Sequence, residues 1–142
     1  MPSNFDFLAR WQPESAELAR RAEENLVIND ANTCLLKIGQ NVEFLIVDLC
    51  KLSRIEGPSK RRPLRKCISD MYVMGIIPRN IKMILTRIWR IRNKANHTGY
   101  DNPVQANFTL NLLFDFCVWF VKTIYDPTFV PENFVSPKRS LR

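Results

Sequence analysis

The only histidine of the chain, His97, ends a run of polar and basic residues at positions 90–97, which reads Arg-Ile-Arg-Asn-Lys-Ala-Asn-His. Arginine and histidine are the side chains that phosphate chemistry uses. A guanidinium can bind two phosphate oxygens at once, and an imidazole titrates near neutral pH. Arg92 lies five residues before the histidine and Arg90 lies seven before it. The run therefore predicts a site for a phosphate-bearing ligand, which the protein either binds or cleaves.

Helical spacing separates the two arginines. We predict one helix that ends at Thr98-Gly99, because glycine is a frequent C-terminal stop. At about 100° per residue, Arg90, Asn93 and His97 share a polar face, whereas Arg92 points towards the bundle or a partner. A helix that unwinds before His97 would turn the imidazole away from that face. Arg92 falls within an apolar stripe formed by Ile81, Ile84, Leu85, Ile88 and Ala95.

An arginine separated from a histidine by four to six residues resembles the signature of HEPN-type helical domains, and both Arg92 and Arg90 fit this spacing. That superfamily contains metal-independent ribonucleases and also inactive relatives that only bind. In a ribonuclease, His97 would act as general base or acid on a 2′-hydroxyl or leaving oxygen. Arg92, or alternatively Arg90, would stabilise charge on the phosphate, and Asn93 would orient the group. One histidine per chain makes combined acid and base catalysis difficult for a monomer, and a homodimer that brings two motifs together would overcome this.

A structural interpretation stands beside the catalytic one. His97 and Asn93 would close the end of the helix by hydrogen bonds, and a protonated histidine is favourable there. Arg92 would form a buried ion pair with an acidic residue, for which the sequence offers Glu43, Asp48 and Asp115. This interpretation is compatible with a binding function.

Positive charge is concentrated in the segment that leads into this run. The net charge of the chain is +7, but residues 60–94 alone hold eleven basic side chains and one acidic one, net +10. Residues 1–59 carry net −3 and residues 95–142 carry no net charge. Such a footprint suits nucleic acid, DNA or RNA, although a solvated basic face is the alternative. The predicted nucleic-acid-binding residues are Lys60, Arg61, Arg62, Arg65, Lys66, Arg79, Lys82, Arg90 and Lys94.

The hydrophobic pattern predicts an all-α bundle of about five helices in one domain. Prolines at positions 13, 63, 78 and 103 open four of the helices. Asp30 and its neighbours offer caps for the other one, whose apolar residues recur every three or four positions. Residues 3–11 are too apolar for a free tail and form an N-terminal strap. The domain spans residues 1–126, and residues 127–142 form a proline-containing linker or loose, irregular tail.

Composition also bears on cofactors and location. The four cysteines are scattered without a C-x-x-C pair, so we expect them in the core and expect neither a metal site nor a cofactor. No secretory signal opens the chain. The most apolar stretch, residues 110–125, is interrupted by Asp115 and Lys122 and is too short to span a bilayer. We therefore expect a soluble cytoplasmic protein.

Several short segments together resemble the helical domain at the N-terminus of type I restriction enzyme R (restriction) subunits. They are residues 3–8 with Trp11, residues 32–37, residues 77–79, residues 93–97 and Asp126-Pro127. In those proteins the domain precedes a nuclease and a helicase motor, so this chain suits an excised domain, a fragment or a stand-alone relative. A small residue, usually glycine, commonly stands there where this chain has Arg92.

The resemblance implies an accessory domain of a restriction-modification, hence defence, enzyme. Such a domain would bind nucleic acid or a partner subunit through a basic face. The alternative is the homodimeric, metal-independent endoribonuclease of the HEPN type.

Overall fold

Five α-helices make up the protein, in a computed structural model that describes residues 2–138. A short 3-10 helix, Asp6–Arg10, precedes them, and residues 2–138 contain no strand. The predicted all-α bundle is confirmed. Residues 139–142 of the predicted tail lie outside the described part. The helices are α1 Pro13–Val27, α2 Ala31–Leu52, α3 Leu64–Val73, α4 Arg79–Thr98 and α5 Pro103–Ile124.

Local sequence sets the helix boundaries. The side chain of Asp30 accepts a hydrogen bond from the backbone N–H of Thr33 at 3.1 Å, so it caps α2. Asn102 caps α5 in the same way, through the N–H of Gln105 at 3.0 Å. Gly99 ends α4 with a φ of +65°, which a residue with a β-carbon rarely adopts.

Helix α2 is the centre of the bundle, in contact with α1, α4 and α5. The apolar residues that recur along it are buried, and they pack against neighbours within the same chain. Leu52 is the exception, because it lies half-exposed where the helix ends. The four cysteines, Cys34, Cys50, Cys67 and Cys117, are all buried in the core as predicted.

Helix α5 is longer than the apolar stretch seen in the sequence, since it begins at Pro103. By length and mean hydropathy it is the one helix of residues 2–138 that could cross a membrane. Residues 110–124 of the apolar stretch are therefore part of a longer apolar helix. In the structure α5 packs against α1, α2 and α4, and its aromatic residues Phe114, Phe116 and Phe120 are buried in the bundle.

Buried polar bonds fix α1 against α2. Asn41 is fully buried, accepts a hydrogen bond from the Ser15 hydroxyl and donates its amide to the Ser15 carbonyl at 3.1 Å. Near the start of α1, the Gln12 amide donates to Asp48 at 2.6 Å and to the Tyr125 hydroxyl at 2.8 Å. Buried polar groups that are satisfied in this way specify one packing of the helices.

The N-terminal strap and the segment after α5 lie together. Asn4 donates its amide to the Val135 carbonyl at 2.7 Å and accepts from the Val135 N–H at 2.8 Å. Phe129 stacks on Phe7 with ring centroids 5.1 Å apart. The segment is irregular as predicted, but up to residue 138 it packs on the bundle. Among these residues, the side chains of Phe129 and Phe134 contact the core.

Candidate nucleic-acid interface

One side of α4 faces away from the bundle and carries mostly basic residues. Met83, Arg87, Arg90, Lys94 and His97 follow each other at intervals of four and three, and all five are exposed. At 3.6 residues per turn they form one line along the helix, about 21 Å long. We call these five residues the α4 ridge.

Arg92 lies on the opposite side of α4, against α2. A β-carbon on Gly39 would stand 2.1 Å from the Arg92 Cγ and 3.1 Å from its Cβ, so only glycine leaves room for this side chain. The Arg92 guanidinium lies 3.8 Å from the carboxylate of Glu43, one turn further along α2. Glu43 was one of three predicted partners. The prediction of a buried pair was wrong, however, because the two side chains are 26% and 50% exposed.

Helix α4 places Arg92 and His97, the arginine–histidine pair with the shorter spacing, on different faces. Arg92 and His97 project about 140° apart around α4, whereas Arg90 and His97 project within about 20° of each other. About 10 Å of helix axis separates the latter pair. Asn93 lies beside them, half-buried. Within one chain the structure therefore groups His97 with Arg90 and not with Arg92.

Asn32 of α2 closes the end of α4. Its side-chain amide donates to the carbonyls of Ala95 at 3.0 Å and Tyr100 at 2.9 Å. Its backbone N–H donates to Asp101 at 3.2 Å. The predicted closure by His97 and Asn93 was wrong, since neither side chain hydrogen-bonds within residues 2–138. The helix also continues past His97 to Thr98, so it does not unwind before the histidine.

Two of the predicted phosphate-binding residues are already paired with Asp70 of α3. The Arg62 guanidinium donates to the Asp70 carboxylate at 2.5 Å and to the Glu56 carbonyl at 3.0 Å. Lys66 lies 3.2 Å from the same carboxylate. Hydrogen bonds from Arg62, and then from Lys66, hold the pKa of Asp70 below its usual range. Arg62 thus fastens the loop between α2 and α3, while its neighbours Lys60 and Arg61 are exposed.

Four other basic side chains lie over aromatic rings. Arg65 lies 5.7 Å from the centre of the Trp89 ring, and Arg87 lies 5.1 Å from that of Phe108. Lys82 and Lys94 stand over Tyr72 and Tyr100 at 4.5 Å and 4.1 Å. None of the four cations lies within 4 Å of a carboxylate in residues 2–138. Arg79 and Arg90 are exposed and have no ion pair there either.

Sequence reasoning missed three residues of this region: Arg87, Asn32 and Gly39. The sequence could have revealed Arg87, because it precedes Arg90 by three residues and Lys94 by seven, which places the three on one helix face. Gly39 stands inside the apolar repeat of α2, and a glycine there indicates a close approach by another chain segment. For Asn32 the sequence offers only a polar residue at the start of a helix, which does not reveal a partner in α4.

Comparison with known proteins shows a similarity to a restriction enzyme subunit. The chain is 28% identical over 138 residues to the type I restriction enzyme EcoKI endonuclease subunit of Escherichia coli (strain K12). The alignment covers 96% of this chain. It covers only 12% of that much longer protein. No family model matches the chain, and no solved structure matches it. The similarity supports the predicted relation to type I restriction enzymes.

Proposed function

We propose that the chain is an accessory helical domain of a type I restriction enzyme R subunit and that it binds nucleic acid. The observation that carries this proposal is a group of cations without carboxylate partners in residues 2–138, on two helices in contact, α3 and α4, and on the loop before α3. We call them the basic face. They come from the α2–α3 loop, α3 and α4 and comprise Lys60, Arg61, Arg65, Arg79, Lys82, Arg87, Arg90 and Lys94.

Unpaired cations of one sign repel each other in the free protein, and a polyanion removes that repulsion. Phosphates also release condensed counterions when lysine and arginine neutralise them, which drives association at low salt. A restriction enzyme handles DNA, so a nucleic-acid contact agrees with the similarity to the EcoKI endonuclease subunit. An acidic surface of a partner subunit is the second candidate for the same face.

Salt-dependent binding of labelled oligonucleotides tests the proposal. Affinity should fall linearly with salt on logarithmic axes. Replacing Arg61, Arg65 and Arg90 by glutamine should lower the slope by about 0.7–0.9 per residue. The matched control is the Arg20→Gln, Arg21→Gln variant, which removes positive charge from α1, where both arginines pair with Glu17. An equal loss in both variants, or no binding at low salt, would contradict the proposal and favour a protein partner.

The second candidate is a HEPN-like ribonuclease, and one observation favours it: Arg90 and exposed His97 share the α4 ridge. In a homodimer, two ridges facing one cleft would supply two imidazoles for acid and base catalysis. The test is RNA cleavage in the presence of EDTA. Cleavage that vanishes in His97→Ala and persists in Arg92→Ala supports catalysis by Arg90 and His97. Absence of cleavage leaves binding alone.

A further inference from the structure

Cations stacked on aromatic rings are unusually frequent in this small bundle. Five such pairs occur in residues 2–138. The general frequency of one per 70–80 residues predicts about two. Four of the five involve basic-face residues, and the exception is Arg10 over Trp11 in the strap. The face therefore combines positive charge with aromatic surface, and charge alone does not describe it.

Two of the four rings are open to a ligand. Tyr72, in the last turn of α3, is 37% exposed, and Phe108 of α5 is 43% exposed. Trp89 and Tyr100 are less exposed and contact the core. An aromatic side chain that keeps this much surface in water is not needed to fill the interior, so Tyr72 and Phe108 are available for contacts outside the bundle.

The two rings flank the α4 ridge on opposite sides. Lys82 and Arg87 project from α4 about 140° apart, one towards Tyr72 on α3 and the other towards Phe108 on α5. The ridge passes between these two directions, and its cations Arg90 and Lys94 continue along α4 beyond Arg87. Exposed Met83 adds apolar surface to the ridge, and exposed Val104 adds it one turn before Phe108.

We infer that the basic face binds single-stranded nucleic acid, with the α4 ridge along the phosphates and unpaired bases stacked on Tyr72 and Phe108. This inference rests on the proposed function and adds its ligand class and two contact residues. Lys82 and Arg87 move from the rings to phosphates, or stack between ring and base, as the strand binds. Base–aromatic stacking contributes to single-strand affinity without sequence preference. In a duplex the bases stack on each other, so none is available to stack on Tyr72 or Phe108.

The decisive experiment removes the ring and the base independently. The variant Tyr72→Leu, Phe108→Leu keeps apolar bulk and every positive charge, and Ile28→Ala serves as a control at an exposed apolar residue of the α1–α2 turn. The ligands are a single strand of about ten nucleotides, within the usual range of site sizes, and an abasic strand with the same number of phosphates. Wild-type protein should prefer the base-bearing strand by on the order of tenfold per ring.

The double variant should lose that preference while its affinity for the abasic strand, its affinity for a duplex and its salt slope stay the same. Equal binding of both strands by wild-type protein would overturn the inference and leave the proposed function intact. So would an equal loss of affinity for both strands in the variant, since the rings would then only position cations. Failure of all ligands to bind at low salt would refute the proposed function itself. Unchanged melting temperatures show that the variants are folded.

Discussion

The two halves of the bundle differ in how far their charged side chains are paired. In the half formed by the strap, α1 and the first turns of α2, several acidic and polar side chains have partners within the chain, although the buried side-chain oxygen of Asn25 has none among residues 2–138. Glu17 pairs with Arg20 and Arg21, and Glu23 accepts hydrogen bonds from Ser3 and Asn4. In the half formed by α3 and the outer side of α4, Asp70 is the only acidic residue, and it serves Arg62 and Lys66 alone.

This difference separates what stabilises the fold from what is available for binding. Satisfied polar groups between α1, α2 and the strap specify the packing, and their loss leaves buried groups unpaired. The cations of α3 and α4 that have no ion pair within residues 2–138 contribute less to stability, because a contact with an aromatic ring contributes only about 0.5–1 kcal/mol at an exposed site. Substitutions in the first half should therefore change stability, and substitutions on the basic face should change binding.

The largest expected effect on stability belongs to Asn41→Ala. The change removes both bonds to Ser15 and leaves a small cavity between α1 and α2. We expect a loss of about 2–4 kcal/mol in the free energy of unfolding, measured by urea titration. Asn111→Ala on the exposed side of α5 is the control and should lie within about 0.5 kcal/mol of wild type. A similar result for both variants would mean that the buried bonds do not hold the two helices.

If Gly39 and Arg92 are in close contact, the effect of Gly39→Ala on stability should change sign when Arg92 is replaced by alanine. In the wild-type background, Gly39→Ala forces Arg92 and the helices apart, which should destabilise the protein by about 1–3 kcal/mol. In an Arg92→Ala background the clash with the arginine chain is relieved, and the higher helix propensity of alanine should stabilise by up to about 1 kcal/mol. Chemical denaturation of the four proteins measures the coupling. Additive effects would contradict the close packing of Arg92 on α2.

A smaller effect should follow from Asp70→Asn. Because the folded state lowers the pKa of Asp70, its carboxylate stabilises the fold above the unfolded pKa of about 3.9 and loses this effect as pH falls through the lower folded value. The melting temperature of the variant should be lower at pH 7 and should converge with wild type in stronger acid. The variant also frees Arg62 and Lys66, so nucleic acid should bind it more tightly. Weaker binding would show that Asp70 organises the face.

The smallest effect on stability should come from His97→Ala. The imidazole is exposed and has no hydrogen bond within residues 2–138, so the free energy of unfolding should change by no more than about 0.5 kcal/mol. Asn32→Ala removes the amide that closes α4 and should cost about 1–2 kcal/mol in the same assay. A larger loss of stability for His97→Ala than for Asn32→Ala would instead mean that the histidine closes the helix.

Periodicity and prolines were enough to predict the helices, because apolar spacing and helix starts are local properties. Pro13 and Pro103 lie at the starts of α1 and α5, as predicted. The outward face of α4 and the position of Arg92 on its inner side also followed from helical geometry. What the sequence could not provide was pairing across the bundle. Neither the choice of Glu43 for Arg92 nor the reach of Asn32 to Ala95 is encoded near the residues concerned.

The segment after Asp126 likewise has contacts that the sequence did not reveal. Three prolines after Asp126 correctly exclude a helix, but they say nothing about docking. Phe129 and Phe134 contact Phe7 and Phe114, which are distant in sequence. The sequence also did not predict the cation–π pair of Arg87 and Phe108, because its two members lie on different helices.

Lysine labelling in the wild-type protein tests the central claim most directly. The protein is acetylated with and without a single-stranded oligonucleotide, and mass spectrometry measures the protection of each lysine. The account predicts protection of Lys60, Lys82 and Lys94 on the basic face, with Lys51 and Lys122 still fully reactive as internal controls. Protection of Lys51 and Lys122 to the same extent, or none at Lys82 and Lys94 under conditions where the oligonucleotide is bound, would contradict it.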